Sequence, residues 1–305
     1  MSLRRDLERR LAGLRDIRSI MSSMRALAVM ETRKLDRLLQ SQRALVATID
    51  SAALDLLQHN PGLRPERKPG PALSLLIGSE RGFCGDFNEA LLEFPSPAAA
   101  AQRQDWILVG HKLRLRAADH ARVRVALDGA NVAEDVDRVL AQIVDVINLA
   151  ERDEDGSVVV ARCHGVDDGR LAERTLLPPW MDAPVDRRTY PLPPMLNIDA
   201  PGMLRRLVEH YLYAVLHEIL LASLWAENLR RVRHLDGAVN RLDKRIEQMQ
   251  SRGQQLRQEE IVEEIEVILL NGTGPQYKVM SGWTQPAFAP KAEAETVSGA
   301  GRDPG

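Results

Sequence analysis

The hydrophobic positions of this chain follow a helical period at both ends and a strand period in the middle. At the amino end Leu7, Leu14, Met21, Ala28 and Leu35 recur every seventh residue, and Leu3, Ile17, Met24, Leu38 and Leu45 fill most of the alternate line. The first proline is Pro61. Toward the carboxyl end Leu235, Val239, Leu242, Ile246, Met249, Gly253 and Leu256 advance by four and three residues, extending a stripe that begins with Leu204, Val208, Tyr211 and Val215. No proline falls between Pro201 and Pro275. A repeat near 3.5 residues lets two helices supercoil along one seam, and roughly 70 helical residues at ~1.5 Å rise reach ~100 Å. The pattern predicts a rod carrying a globular lobe.

Polar residues interrupt both seams: Arg10, Glu31 and Gln42 in the first helix, and Glu218, Asp236 and Asp243 in the second. They weaken an isolated two-stranded zipper, whereas surrounding proteins can pair or solvate them. The expectation is an imperfect coil sheathed by partners.

Between the helices, apolar strands are read over 72–77, 106–109, 123–127 and 157–161. A Gly-rich turn and a helix ending near Glu93 follow the first strand. An amphipathic helix spans 132–149, with Val136, Val139, Leu140, Ile143 and Ile147 on one face. This alternation favours a small, mostly parallel sheet of Rossmann-like topology. The fold class is therefore α/β, with a coiled coil of the two terminal helices beside a Rossmann-like lobe. The expected division is an N-terminal helix over 1–60, a lobe over 70–195, a C-terminal helix over 200–272 and a disordered tail over 273–305. Pro-rich hinges at 60–71 and 178–201 join lobe to rod.

Composition sharpens this picture. Only 4% of the 305 residues are aromatic against 44% hydrophobic, as expected where leucine and methionine seams replace a thick core. No run of about 18 apolar residues suggests a membrane span. The charged start lacks a secretory pattern. Two cysteines without Cys-x-x-Cys spacing indicate neither a disulfide framework nor a zinc site, so a reducing compartment is expected. The net charge of −2 hides a basic bias in both long helices, from Arg4 to Arg37 and from Arg230 to Arg257. Either this is a solvated surface or it is a basic collar facing acidic protein loops. Nucleic acid is disfavoured, because no aromatics interleave with the basic residues.

Catalytic motifs are incomplete. The turn over 78–88 matches neither the dinucleotide fingerprint nor the phosphate loop, so no cofactor is expected. His217-Glu218 begins like a zinc-protease motif, but Leu221 stands where the second histidine belongs. Cys163 and His164 are adjacent on a strand and point to opposite faces. Cys84 is either a reactive thiol at a helix start or a small buried side chain.

The turn Ser79-Glu-Arg-Gly-Phe-Cys-Gly-Asp-Phe-Asn88 resembles the signature of the gamma subunit of F-type ATP synthases. Arg257-Gln258-x-x-Ile261-x-x-Glu264-Ile265 is similar to that family's carboxyl-terminal motif, with Glu227, Arg231 and Ala238 at the spacing leading into it. Ile20-x-x-x-Met24-x-x-x-Ala28 is similar to the amino-terminal signature. The three matches span residue 1 to about 272 in the family's order. Departures at Glu31, Gly253-Gln254, Val262 and the long tail mark a divergent member, of a variant ion-translocating type.

The resemblance implies an antiparallel coiled coil serving as a central-stalk rotor. It would turn inside a hexamer of alpha and beta subunits, with the lobe near the epsilon subunit and the c-ring. ATP chemistry would belong to the partners, with neither direct membrane insertion nor nucleic acid binding, at the cytoplasmic face of the bacterial inner membrane. By motif match Arg257 and Gln258 would contact a beta-subunit loop, and Met24 and Arg245 would lie near the acidic beta-subunit lever. Gly82, Cys84, Gly85 and Asn88 would be fold determinants of the lobe. Met24 fits equally a seam residue packed on the other helix, and Arg245 and Arg257 fit solvated surface. The alternative function is a coiled-coil adapter with a ligand-binding α/β lobe.

Overall fold

The computed structural model describes residues 2–65, 72–95, 104–117, 120–153, 158–167, 170–181 and 193–272. Helix α1 runs over Ser2–His59. It stops where Pro61 disfavours helical backbone at Asn60, whose own side chain bonds the Leu56 carbonyl at 3.0 Å. The lobe follows as β1 (Ala72–Ile77), α2 (Phe87–Glu93), β2 (Gln104–Val109), α3 (His111–Arg116), β3 (Val123–Leu127), α4 (Val136–Asp153), β4 (Val158–Asp167) and β5 (Arg170–Leu177), and α5 covers Ala200–Gly272.

Residues up to Gly253 form one compact unit, and those from Gln254 form a second. In the second, the described part is the end of α5, where Ile261, Val262, Ile265, Ile268, Leu269 and Leu270 are exposed. The tail over 273–305 lies outside the described residues.

The strands are ordered β3-β2-β1-β4-β5. The first four are mutually parallel and β5 pairs antiparallel with β4. All six residues of β1 are buried, as a strand covered on both faces requires. One face packs Leu73, Leu75 and Ile77 against α1, α4 and α5. The other packs Leu76, Trp106 and Leu108 against Leu91 of α2 and Leu113 of α3. The Rossmann-like reading stands, with β5 added. That strand escapes a hydrophobic-pattern search because Arg170, Glu173 and Arg174 break it. Glu173 instead takes a 3.0 Å ion pair from the buried Arg162 across the β4–β5 ladder.

The long helices pair antiparallel. Arg18 meets Asp243 at 2.8 Å, Arg25 meets Asp236, and Arg43 meets Glu218 at 3.7 Å, so partner numbers fall as their own rise. The three acids that interrupt the α5 seam are thus answered by arginines of α1 rather than left for a protein sheath. This also corrects the second seam line of α1. Ile17, Leu38 and Leu45 are exposed, whereas Leu11, Leu39 and Val46 are buried. The line runs four residues after Leu7, Leu14, Leu35 and Gln42, which puts Arg18 and Arg25 opposite their aspartates. Two further bonds tie α1 to its surroundings: Glu31 accepts the Ala133 amide at 2.9 Å, and Gln42 donates to the Ala214 carbonyl at 2.9 Å.

One window of α5 is long enough and apolar enough on average to cross a membrane by composition and length alone, although it is no unbroken apolar run. Of that window 67% is buried inside the protein. Its apolarity is that of a core helix lying against the sheet.

Candidate functional site

The signature turn between β1 and α2 is closed by its own ends. The Ser79 amide donates to Asn88 Oδ1 and Asn88 Nδ2 donates to the Ser79 hydroxyl, both at 2.9 Å. Cys84 Sγ donates to the same hydroxyl at 3.3 Å. Inside this ring the backbone turns through left-handed conformations at Phe83 (φ 64°) and Gly85 (φ 67°), which glycine tolerates without the steric cost of a Cβ. Cys84 is buried, and burial pushes its thiol up from the ordinary value, so it is a protonated packing group and not a poised nucleophile. Glu80 extends the ring to the neighbouring strands, accepting the His111 amide at 2.8 Å and the Gly129 amide at 2.7 Å just beyond β2 and β3.

Helix α5 locks onto this turn through a buried charge pair. Glu227 accepts the Glu80 and Arg81 amides, each at 3.2 Å, and forms an ion pair with Arg231 one helical turn on. Arg231 also donates to the Gly82 carbonyl at 3.2 Å and to Asn228 Oδ1 at 2.7 Å. The Arg231 and Glu227 side chains are almost wholly buried, at 5% and 4% exposure. Burial pushes the Glu227 carboxyl above its usual range, and Arg231 with the two amides opposes that. At the rim Arg230 donates to Asp86 at 2.8 Å and lies over the Phe87 ring.

This docking decides what the lobe can hold. In open parallel sheets, ligands enter at the carboxyl ends of strands where the order reverses, here between β1 and β4. That space is filled by α5. Ser223 donates to the Ile77 carbonyl at 3.3 Å, Ala226 packs on Cys84 and Phe87, and a Cβ at Gly165 (φ 94°) would collide with the Ala222 carbonyl. His164 is sealed beneath, its ring tilted against that of Phe87 with centroids 4.0 Å apart and bonded through Nε2 to the Phe87 carbonyl at 2.9 Å. Burial lowers its pKa to about 4.

Gly82, Cys84, Gly85 and Asn88 therefore meet in one structural turn. Met24 and Arg245 do not meet. The coil register sets Met24 at the level of Asp236 and Arg245 near Asp16, about eight residues or ~12 Å away along the axis. Met24 is half-buried, and Arg245, Arg257 and Gln258 are exposed. Sequence reasoning matches Glu227 and Arg231 by spacing but assigns them no task. The available signal was an acid and a base at i and i+4, following directly on the apolar run from Ile219 to Ala226.

The architecture defines a class: a two-helix stalk bearing a Rossmann-like lobe whose crevice is filled by the stalk itself. The model of the family described as ATP synthase matches residues 3–270. The ATP synthase gamma chain of Clostridium perfringens is 22% identical over 286 residues, covering 87% of this chain and 95% of that protein. A chain in the Euglena gracilis mitochondrial ATP synthase structure (OSCP/F1/c-ring, rotational state 3) superposes with a TM-score of 0.54 at 14% identity, covering 92% of this chain and 99% of that one. A chain of the Tetrahymena thermophila central stalk and c-ring gives a TM-score of 0.53 at 14% identity, covering 72% and 99%. The chain belongs to this ATP synthase family, as a gamma-type central-stalk subunit of the F-type enzyme.

Removing one member of the buried pair leaves the other charge uncompensated. Glu227→Ala is expected to lose about 3–5 kcal/mol of stability, and Glu227→Leu with Arg231→Met considerably less. Urea unfolding of the three proteins measures this, and equal losses in the single and double variants would contradict the clamp.

His164 sets a pH dependence. Its pKa is about 4 folded against 6.5 for the free side chain, so the unfolded chain binds the proton preferentially between those values. Stability then falls as pH drops from 6.5 to 4, by about 3 kcal/mol from this group. His164→Gln is expected to flatten that part of the urea midpoint profile, and an unchanged acid slope would refute the assignment.

Proposed function

We propose that the chain is the non-catalytic rotor shaft through which transmembrane ion flow is coupled to ATP synthesis or hydrolysis. Its partners in this reading are the alpha and beta subunits around the helices and the epsilon subunit and c-ring at the lobe. The complex lies at the cytoplasmic face of the bacterial inner membrane, and the chain itself neither enters the bilayer nor binds nucleic acid. The observation that carries the reading is the Glu227–Arg231 clamp. It joins lobe and α5 through buried charge-assisted bonds, so a torque applied to the lobe reaches the helix without slack.

Coupling then follows from asymmetry. A shaft can bias each catalytic subunit only by touching its open and closed forms differently. The exposed Arg257 and Gln258 supply donors for a beta-subunit loop, and Met24 and Arg245 lie on the coil at two separate levels facing the acidic lever. Nucleotide and Mg²⁺ remain with the partners, since α5 fills the crevice of this lobe.

Arg257→Ala with Gln258→Ala is expected to lower turnover about tenfold or more with the fold intact, since a charge-assisted hydrogen bond contributes about 1.5–3 kcal/mol. Met24→Lys is expected to keep hydrolysis while ion pumping falls, because the new cation sits beside the Arg25–Asp236 pair and can reach an acidic lever. ATPase rate and ion transport in reconstituted vesicles separate the two effects. Wild-type rates and coupling ratios in both variants would reject these contact roles.

A further inference from the structure

The described end of α5 carries an apolar stripe that the rotor contacts named above do not use. Ile261, Ile265, Ile268 and Leu269 recur at i, i+4, i+7 and i+8, and with Val262 they fall within about 120° of the helix circumference. Each of the five is exposed, by 47–68%. Glu259, Glu260, Glu263, Glu264 and Glu266 share the remaining arc with Val267 and Leu270. A contiguous apolar face bordered by charge marks a surface that another segment covers. The chain runs on past it: residues 273–305 follow directly and lie outside the described residues.

The sequence that follows is suited to be the cover. Tyr277, Trp283 and Phe288 are three of the chain's twelve aromatic residues, and Val279 and Met280 stand between them. Aromatic side chains cover a large apolar area at a small cost in rotamer freedom. Charge fits as well: no acid falls between Glu266 and Glu293, and the basic residues of that stretch, Lys278 and Lys291, are opposite in sign to the five glutamates. Reach is ample, since from Gly272 back to Ile261 is ~17 Å of helix, which about five extended residues span. A second copy of the chain is the poorer occupant. It would set two groups of glutamates side by side, and it competes with a segment whose direct attachment gives an effective concentration of roughly mM. We propose that residues 277–288 fold back on the end of α5 and cover this stripe in the unassembled chain, so that the chain stays monomeric and any partner of the stripe must displace them. This holds for the chain by itself and does not rest on the rotor reading.

The test uses the purified full-length chain at low micromolar concentration, far below that effective value. p-Benzoylphenylalanine in place of Trp283 is photoactivated, and the products are mapped by mass spectrometry. Cross-links within one chain to residues 261–269 are expected. Ile265→Glu, at an exposed position, is expected to lower their yield about tenfold or more by putting a charge on the stripe. Hydrogen exchange gives an independent reading: Trp283→Ser with Phe288→Ser is expected to speed exchange of the 261–269 amides about tenfold, while the lobe amides keep their wild-type rates. Cross-links confined to other regions, or none, overturn the proposal. Cross-links between chains would assign the stripe to a second copy and overturn it equally, as would exchange unchanged in the double variant.

Discussion

A carboxylate stripped of water must find compensation where it stands, and Glu227 finds it in two amides of the signature turn and one guanidinium of its own helix. Much of the lobe's geometry follows from that requirement. The amides that serve Glu227 belong to Glu80 and Arg81, and Glu80 in turn holds the backbone beyond β2 and β3. The ends of three parallel strands and the helix are therefore fixed relative to one another by one continuous set of bonds. Ser79, Cys84 and Asn88 keep the turn in the shape that presents those amides, which explains why so short a segment carries so many constrained residue types.

The same principle sets the coil. Apolar seams alone leave the axial register of two long helices weakly determined, because a shift by one heptad restores most contacts. Arg18, Arg25 and Arg43 break that degeneracy by meeting Asp243, Asp236 and Glu218. Exposed pairs of this kind contribute little to stability and more to specificity. The Glu218 end is different in kind. There Arg174 of β5 joins at 3.0 Å, and Asp50, which accepts from Trp180 at 2.8 Å, stands 3.9 Å from Arg174, so α1, β5 and α5 share one partly buried charge network. Charged groups thus tie lobe and coil around Glu218 and around Glu227, with the Ser223–Ile77 bond between them on α5.

What could be read from sequence divides along physical lines. The long helices were visible because α1 and α5 keep one period over many turns, and β1 because its short, nearly unbroken apolar run is what burial on both faces of a sheet demands. Strand β5 was hidden because its charges are satisfied by tertiary partners, Arg162 and Glu218, that no local pattern reveals. The second seam line of α1 was misplaced for the same reason: Arg18 and Arg25 look like surface residues until the aspartates opposite them are known. The signature turn was recognised by residue type. The tasks of Glu80, Glu227 and Arg231 required the fold, since their partners in the lobe lie far away in the sequence.

A rotor shaft must be present as a single copy within a larger assembly. Native mass spectrometry of the complex purified through this chain from its own cell measures that directly. One copy of the chain per hexamer of alpha and beta subunits is the predicted result. A homo-oligomer of this chain free of ATP synthase subunits would contradict the rotor reading and favour the adapter reading.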